Sequence, residues 1–201
     1  ITRGGLTISI TRDDALQDVL ERAVDMTLRT YVARHPTDAD NAQLRAGAFA
    51  VDFTGDVLAE VGNVNFSQLK YDVMATGWRQ PGSTFKIFTY GGLVEQLTNE
   101  VLASESAPQT VESIAGAVLE RCTVLDAPVL VPLGRGRGVK KIENFHSRSE
   151  PEYRGEMSCR IALGESRNTA AMRAGSRAGI KHVIELAYRL GMPHDDKHVL
   201  Q

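Results

Sequence analysis

Ser83 and Lys86 lie three positions apart in the segment WRQPGSTFK, which covers residues 78–86. A Pro-Gly pair precedes the serine and an apolar run follows the lysine, a pattern that predicts a helix beginning at Ser83. Residues at positions i and i+3 of a helix share a face, with Cβ atoms about 5 to 6 Å apart. The Lys86 amine is therefore expected within reach of the Ser83 hydroxyl.

This pair could act as a nucleophile with its general base. Burial and the positive end of a helix dipole would both lower the pKa of Lys86 from its free value of about 10.4. Neutral Lys86 would take the proton of Ser83 as the hydroxyl attacks a carbonyl, and the free N–H groups of the first turn would face the oxyanion. Ser-x-x-Lys is a common spacing, and the alternative is a capping serine with a lysine on the surface.

A second polar segment, GESRN at residues 164–168, interrupts two helical patterns. Ser166 could carry a proton between Lys86 and a leaving amine, and Asn168 could bind a substrate amide. The alternative is that the serine and the asparagine only begin a helix. The two polar segments together favour an acyl-transfer site more strongly than either does alone.

The elements that must position these residues are predicted from periodicity. Residues 6–10 alternate as a half-buried strand does, and Thr11 is predicted to cap a helix of about five turns. Residues 47–62 carry two apolar runs around a Gly-containing turn, which predicts a hairpin. Further helices are predicted at residues 83–97, 111–120, 158–163 and 169–192, the last with a break near 175–179.

Composition excludes several classes of function. The net charge of −2 shows no excess that would indicate binding to nucleic acid or to an anionic membrane. The five histidines never fall at ligand spacing with the two cysteines, so we predict neither a metal site nor a cofactor. Cys122 and Cys159 are expected to be buried thiols, with a disulfide as the alternative that their spacing does not exclude.

The tract GRGRGVKK at residues 134–141 is the one biased segment. It could hold a phosphate or contact a polyanion, and the alternative is a solvated loop. The sequence has no apolar run of about 18 residues, so we expect that this chain neither spans a membrane nor carries an export signal. It begins and ends in mid-pattern, which we interpret as part of a longer protein.

Several segments, in order, resemble the transpeptidase domain of class A, bifunctional penicillin-binding proteins. The similarity is not confined to the two polar segments and covers most of the chain. The segments that resemble the family are residues 4–10 with 15–17, 47–62, 79–86 (RQPGSTFK), 126–128 (DAP), 143–145 (ENF), 153–155 (YRG) and 162–170 (ALGESRNTA).

The resemblance implies an α/β (α+β) fold, in which an antiparallel sheet flanked by helices lies beside an all-helical subdomain. Residues 1–201 would be a partial transpeptidase domain that lacks the later strands of the sheet. We divide it into an initial strand and helix (1–46), the first hairpin and the nucleophile helix (47–100), and a helical subdomain with the Ser-x-Asn loop (101–201).

By the same resemblance, Ser83 would be the acylated nucleophile, Lys86 its general base, Ser166 the proton relay and Asn168 a ligand of the substrate amide. The substrate would be the D-Ala-D-Ala end of a peptidoglycan stem peptide, and β-lactams would acylate the same serine. Other cell-wall synthesis proteins are expected as partners. The site would lie on the extracytoplasmic face of the bacterial membrane, anchored through a segment outside this chain.

The chain departs from the family pattern in three places. No Lys-Thr-Gly triplet follows Asn168, so residues 1–201 alone are expected to acylate poorly. Ile87 stands where proline is common, and Arg167 stands where a class A β-lactamase usually has aspartate. Two other functions remain as alternatives: an acyl hydrolase of the D,D-carboxypeptidase or β-lactamase type, and a non-catalytic sensor or interaction module with the same fold.

Overall fold

The computed structural model describes residues 4–5, 7–37, 44–63, 70–104, 106, 108, 110–134, 138–145 and 151–192. The chain divides into two compact units, Ile1–Gln80 and Pro81–Gln201. The division falls inside the predicted segment 47–100, between its hairpin and its nucleophile helix. All four predicted site residues belong to the second unit.

The described residues of the first unit form one helix, α1 (Asp14–Arg34), and an antiparallel hairpin of β1 (Ala48–Val51) and β2 (Val57–Val61). The hairpin predicted from residues 47–62 is confirmed. Gln17 joins the helix to the hairpin, because its amide donates to the Glu60 carbonyl at 2.8 Å and accepts from the Glu60 N–H at 2.9 Å. The buried glutamine side chain thus pairs with both backbone groups of Glu60.

Two predictions for the start of the chain are wrong. Asp13, not Thr11, caps α1, and its carboxylate accepts from the Leu16 N–H at 2.9 Å. Residues 7–10 form no strand, and Ile8 and Ile10 are 66% and 71% exposed; residue 6 lies outside the described residues. An alternating pattern makes a strand only where a ladder of hydrogen bonds joins it to a neighbouring strand. In the described structure this region bonds β2 only through the Thr11 hydroxyl, at the Val57 carbonyl, and the Asp13 N–H, at the Leu58 carbonyl.

The second unit begins with a 3₁₀ turn at Gly82–Phe85, which continues directly into a helix. Four short strands, which the sequence pattern did not predict, lie between its helices: β3 (Thr123–Asp126), β4 (Val129–Pro132), β5 (Val139–Ile142) and β6 (Gly155–Ser158). They form two antiparallel pairs, β3 with β6 and β4 with β5. The helices are α2 (Lys86–Leu102), α3 (Val111–Arg121), α4 (Cys159–Gly164), α5 (Asn168–Ala178) and α6 (Ile180–Arg189).

Helix α2 lies at the centre of the second unit and packs against α3, α5 and α6. Leu93 and Leu97 on α2 are completely buried. The facing side of α5 carries small residues, among them Ala170 and Ala174, both fully buried, so the two helices can approach closely. This packing brings the start of α2 beside the start of α5.

The Gly-rich basic tract belongs in part to a hairpin. Its residues 139–141 lie in β5, which pairs with β4, so the solvated-loop interpretation is wrong for them; residues 135–137 lie outside the described residues. Across the described part of the chain, every helix is too short or too polar to cross a membrane.

Cys122 and Cys159 form a disulfide, with Cα atoms 5.5 Å apart, so the expectation of buried thiols is wrong. The pairing of β3 with β6 places Thr123 opposite Ser158 and so brings the two flanking cysteines together. The Cys159 N–H also donates to the Cys122 carbonyl at 2.8 Å. The bridge therefore joins the end of α3 to the start of α4.

Replacing both cysteines by alanine should lower the free energy of unfolding. The bridge joins residues 37 positions apart, and the chain-entropy relation gives about 4 kcal/mol for a loop of that length. Urea unfolding measures the difference. A reductant should destabilise the native protein and leave the double variant unchanged, and an equal response of both proteins would contradict the bridge.

Candidate active site

Ser83 lies in the 3₁₀ turn that precedes α2, and Lys86 is the first residue of α2. The Lys86 N–H donates to the Ser83 carbonyl, and in such a turn the side chains at i and i+3 are eclipsed. Gly82 enters the turn with φ of 54°, a conformation that glycine adopts at little cost. The sequence placed Ser83 in the first turn of an α-helix, whereas the structure places it in a 3₁₀ turn that leads into the helix.

The amine of Lys86 is directed toward the Ser166 turn, defined here as residues 165–168. Its Nζ donates to the Ser166 carbonyl at 2.5 Å, the Ser166 Oγ at 2.9 Å and the Asn168 Oδ1 at 2.6 Å. The Lys86 residue is only 8% exposed. Three of the four predicted site residues therefore meet around one nitrogen atom.

Ser83 is the fourth predicted residue, and its side chain is exposed to solvent. Within the described part of the chain its hydroxyl makes no hydrogen bond, so the predicted contact with the Lys86 amine is not formed in this structure. Hydrogen bonds between catalytic groups are often formed only when the substrate is bound. The free hydroxyl is accessible to an incoming acyl group.

Two opposing effects act on the protonation of Lys86. Burial lowers its pKa from the ordinary value of 10.5, since an ammonium loses hydration there. The three acceptor oxygens favour the ammonium, because a neutral amine has only two hydrogens to donate. The pKa remains lowered, which is the direction that a general base requires.

The Ser166 turn ends helix α4 in a Schellman motif. The Ser166 N–H donates to the Leu163 carbonyl and the Arg167 N–H donates to the Ala162 carbonyl, each at 2.9 Å. Ser166 occupies the left-handed position with φ of 54°, where glycine is usual. Non-glycine residues keep this conformation only where the surrounding structure holds them in it. Such residues are concentrated at functional sites.

Asn168 is the first residue of α5 and makes two hydrogen bonds besides the one from Lys86 that its Oδ1 accepts. Its backbone N–H donates to the Asn144 Oδ1 at 2.7 Å, and its side-chain nitrogen donates to the Glu143 carbonyl at 2.7 Å. The same Asn144 oxygen accepts from the Thr169 N–H at 3.2 Å. Asn144 therefore supplies the N-terminal cap of α5 from a distant part of the chain. Among the described residues, one hydrogen of the Asn168 amide has no acceptor and is available to a ligand.

Sequence reasoning missed a buried ion pair beneath this turn. Arg167, the middle residue of Ser-x-Asn, is 3% exposed, and its guanidinium pairs with Asp126 at 2.7 Å. It also donates to the Glu152 carbonyl. The only sequence signal was the Asp-Ala-Pro segment, which carries no indication of a partner 41 positions away.

The charge of Asp126 is stabilised although its side chain is completely inaccessible to solvent. Burial alone would raise its pKa, but the hydrogen bonds donated to the carboxylate outweigh burial and hold the pKa below the ordinary value of 3.8. The Tyr90 hydroxyl shows the reverse, since burial and the charge of Asp126 raise its pKa to about 12. Asp126 is therefore an anion at neutral pH.

A cleft of about 500 Å³ opens over the amine. The residues around it come from the 3₁₀ turn, α2, β5 and α5, and include Gly82, Lys86, Lys140, Lys141, Asn168 and Met172. Among the described residues, no group of histidine, cysteine, aspartate and glutamate side chains is arranged to hold a metal ion. The lining thus presents the buried amine of Lys86 and the amide of Asn168 to the cleft, and Ser83 is the residue next to the lining residue Gly82.

Ser166→Gly should give a protein more stable than Ser166→Ala by about 1 kcal/mol, because glycine adopts the left-handed conformation without the steric cost of a Cβ. Both variants lose the hydroxyl, so the comparison isolates the backbone. Urea unfolding measures it. Equal stability of the two variants would mean that the turn relaxes out of this conformation.

The pKa of Asp126 predicts a pH dependence. A carboxylate whose folded-state pKa is depressed stabilises the fold fully above its unfolded-state pKa of about 3.9, and this contribution is lost as the pH falls through the folded-state value. The free energy of unfolding should therefore fall more steeply below about pH 4 in the native protein than in Asp126→Asn. Parallel curves for the two proteins would show that Asp126 is not held as an anion.

Comparisons with known proteins identify relatives of the chain as a whole. No protein-family model matches the chain. It is 28% identical over 146 residues to penicillin-binding protein 1A of Rickettsia typhi, with 73% of this chain and 16% of that protein covered. It is 30% identical over 138 residues to penicillin-binding protein 1A of Neisseria cinerea, with 69% and 14% covered.

A solved structure gives the same result for the fold. The crystal structure of penicillin-binding protein 1A from Haemophilus influenzae matches with a TM-score of 0.50 and 25% identity, over 69% of this chain and 17% of that one. The mixed fold of helices and antiparallel strands is thus the predicted one. The chain spans about a sixth of the length of these relatives. It contains a domain related to the class A penicillin-binding protein 1A.

Proposed function

We propose that the second unit carries the nucleophile half of a serine D,D-transpeptidase that cross-links peptidoglycan stem peptides. The observation that supports this most directly is the contact of the Lys86 amine with Ser166 and Asn168, about 80 positions along the chain. A solvated surface lysine would not be buried among three oxygens of another helix terminus. The relatedness to penicillin-binding protein 1A supports the same chemistry.

Acylation begins at Ser83. Its Oγ attacks the carbonyl carbon of the penultimate D-Ala, and Lys86, as the neutral amine, takes the Oγ proton. Substrate binding would exclude water from the cleft and lower the pKa of Lys86 further, in the direction that burial already shifts it. The Ser83 N–H near the start of α2 faces the developing oxyanion.

The leaving group needs a proton, and in this mechanism Ser166 delivers it. Its Oγ lies 2.9 Å from the Lys86 Nζ, so a proton can pass from the amine through the hydroxyl to the nitrogen of the departing D-Ala. The C–N bond then breaks and an ester on Ser83 remains. An amine of a neighbouring stem attacks this ester, and Ser83 leaves with a proton returned through the same two groups.

Asn168 orients the substrate. Its Oδ1 accepts from Lys86 and its nitrogen donates to the Glu143 carbonyl, which fixes the amide plane. The second hydrogen on that nitrogen is the group that donates to a carbonyl of the stem peptide. A β-lactam amide would use the same donor, and β-lactams would acylate Ser83.

The setting follows from the substrate. Peptidoglycan stem peptides are cross-linked on the extracytoplasmic side of the bacterial membrane, where a disulfide such as Cys122–Cys159 persists. The partners of this site are the stem peptides, β-lactams and other cell-wall synthesis proteins.

Ser83→Ala should abolish labelling by a fluorescent penicillin in the full-length protein that carries this chain. The free energy of unfolding should change by less than about 0.5 kcal/mol, because the side chain is exposed. Thr84→Ala, a change at the next exposed position, is the matched control and should label as the native protein does. Labelling of Ser83→Ala would identify a different nucleophile, and a native protein that never labels at Ser83 would indicate a non-catalytic module.

The fate of the acyl group separates a transpeptidase from a hydrolase. With a D-Ala-D-Ala substrate and an added amine acceptor, we expect transfer to the amine to increase at the expense of release to water. Product analysis by mass spectrometry measures the partition. If the amine acceptor does not reduce the amount of hydrolysed product, the carboxypeptidase or β-lactamase alternative is favoured.

A further inference from the structure

We propose that Asp126 is a positioning residue, whose buried carboxylate holds the Ser166 turn in the conformation that presents three oxygen atoms to the Lys86 amine. Asp126 itself contacts neither Ser83 nor the amine in any described hydrogen bond; it acts through the residues around Asn168. The role of the amine in acylation rests on the proposed function, whereas the contacts of Asp126 do not.

Each carboxylate oxygen of Asp126 accepts hydrogen bonds from two separate parts of the chain. Oδ1 accepts from the Thr169 hydroxyl and from the Asn144 amide, the latter at 2.7 Å. Oδ2 accepts from the Arg167 Nε at 2.8 Å and from the Arg154 N–H at 3.0 Å. Four donors therefore converge on one group that is completely inaccessible to solvent.

Two of these donors flank Asn168 directly. Arg167 precedes it and Thr169 follows it, so the carboxylate is hydrogen-bonded to the chain on both sides of the amide that contacts Lys86. A third donor, Asn144, caps the helix that begins at Asn168. The position of the Asn168 side chain is thereby fixed from three directions.

The hydrogen bonds to Asp126 also explain how Ser166 is kept in its left-handed backbone conformation. Ser166 has φ of 54°, and Arg167, the next residue, is anchored by its ion pair with Asp126. A left-handed serine persists only when its surroundings over-determine it. Release of Arg167 would let the turn relax, and the Ser166 carbonyl and Oγ would leave the amine.

Only an ionised carboxylate fits this position. An asparagine of the same shape would turn an NH₂ group toward two of the four donors and would leave the Arg167 guanidinium buried without a counter-charge. Arg167→Gln creates the reciprocal defect at Asp126. The two substitutions should therefore act on the same turn and should not be additive.

Chemical modification of Lys86 tests the positioning without reference to acylation. The full-length protein and its Asp126→Asn and Arg167→Gln variants are treated with a low concentration of acetic anhydride at one pH, and acetylation is followed by peptide mass spectrometry. Lys140 lines the same cleft but is exposed, so it is an internal reference for reagent access.

The expected result is a rise of about fivefold or more in the acetylation of Lys86 relative to Lys140 in both variants, because local opening of the turn exposes the amine. The Asp126→Asn/Arg167→Gln double variant should show no further rise. Acylation by a fluorescent penicillin should be about ten- to a hundredfold slower in each single variant, since a small displacement of the catalytic groups is costly.

Val124→Ala is the matched control for a loss of stability alone. Val124 lies two positions earlier on β3, is 6% exposed and contributes only apolar contacts to the core. This variant should unfold more easily, while Lys86 stays protected and acylation in the folded protein stays within about twofold of the native rate. Equal exposure of Lys86 in Val124→Ala and Asp126→Asn would overturn the proposal, because Asp126 would then act only through global stability.

The two readouts distinguish failure of the positioning role from failure of the proposed function. A native protein that never labels with penicillin refutes acylation, while the acetylation ratios still decide the role of Asp126. If Lys86 is acetylated no faster in Asp126→Asn than in the native protein, the positioning role is overturned. An unchanged acylation rate in a variant with exposed Lys86 would also overturn it, since the turn would then have no influence on the reaction.

Discussion

A carboxylate removed from water must receive a full set of hydrogen bonds, and the second unit is organised around one that does. Asp126 is inaccessible to solvent, and its donors come from a segment after β5, a segment before β6, the turn after α4 and the start of α5. Displacement of any of these segments would leave a buried charge short of a partner, which is strongly unfavourable. The hydrogen bonds to Asp126 therefore hold the segments of the candidate site in place. The apolar packing of α2 against α5 brings Lys86 close to Asn168.

The Lys86 amine illustrates how such a site balances opposing demands. Burial favours the neutral form that a general base needs, while the carbonyl and hydroxyl of Ser166 and the amide of Asn168 favour the ammonium. An amine held between these effects can both accept and return a proton, which the two acyl transfers of the proposed mechanism require. The Ser83 hydroxyl makes no hydrogen bond to another described residue, so it stays open to solvent.

Local sequence patterns predicted most of the helices and the first hairpin. They failed where the outcome depends on a distant partner. Residues 7–10 alternate like a strand but pair with no strand in the described part of the chain. The disulfide of Cys122 and Cys159 depends on the register of β3 with β6. The short strands of the second unit, each of four residues, are at the lower limit of the length from which alternation predicts a strand.

The sequence by itself determined which groups are available for chemistry: a hydroxyl and an amine three positions apart after a Pro-Gly turn, and a second hydroxyl with an amide at a helix boundary. Tertiary structure alone decided that the amine turns to Ser166 and Asn168, and that the arginine between them is buried against Asp126. Spacing along a helix fixes neighbours within one turn, because the backbone geometry is local. Contacts across 41 or 80 positions depend on how whole elements pack, and no local pattern encodes the identity of such a partner.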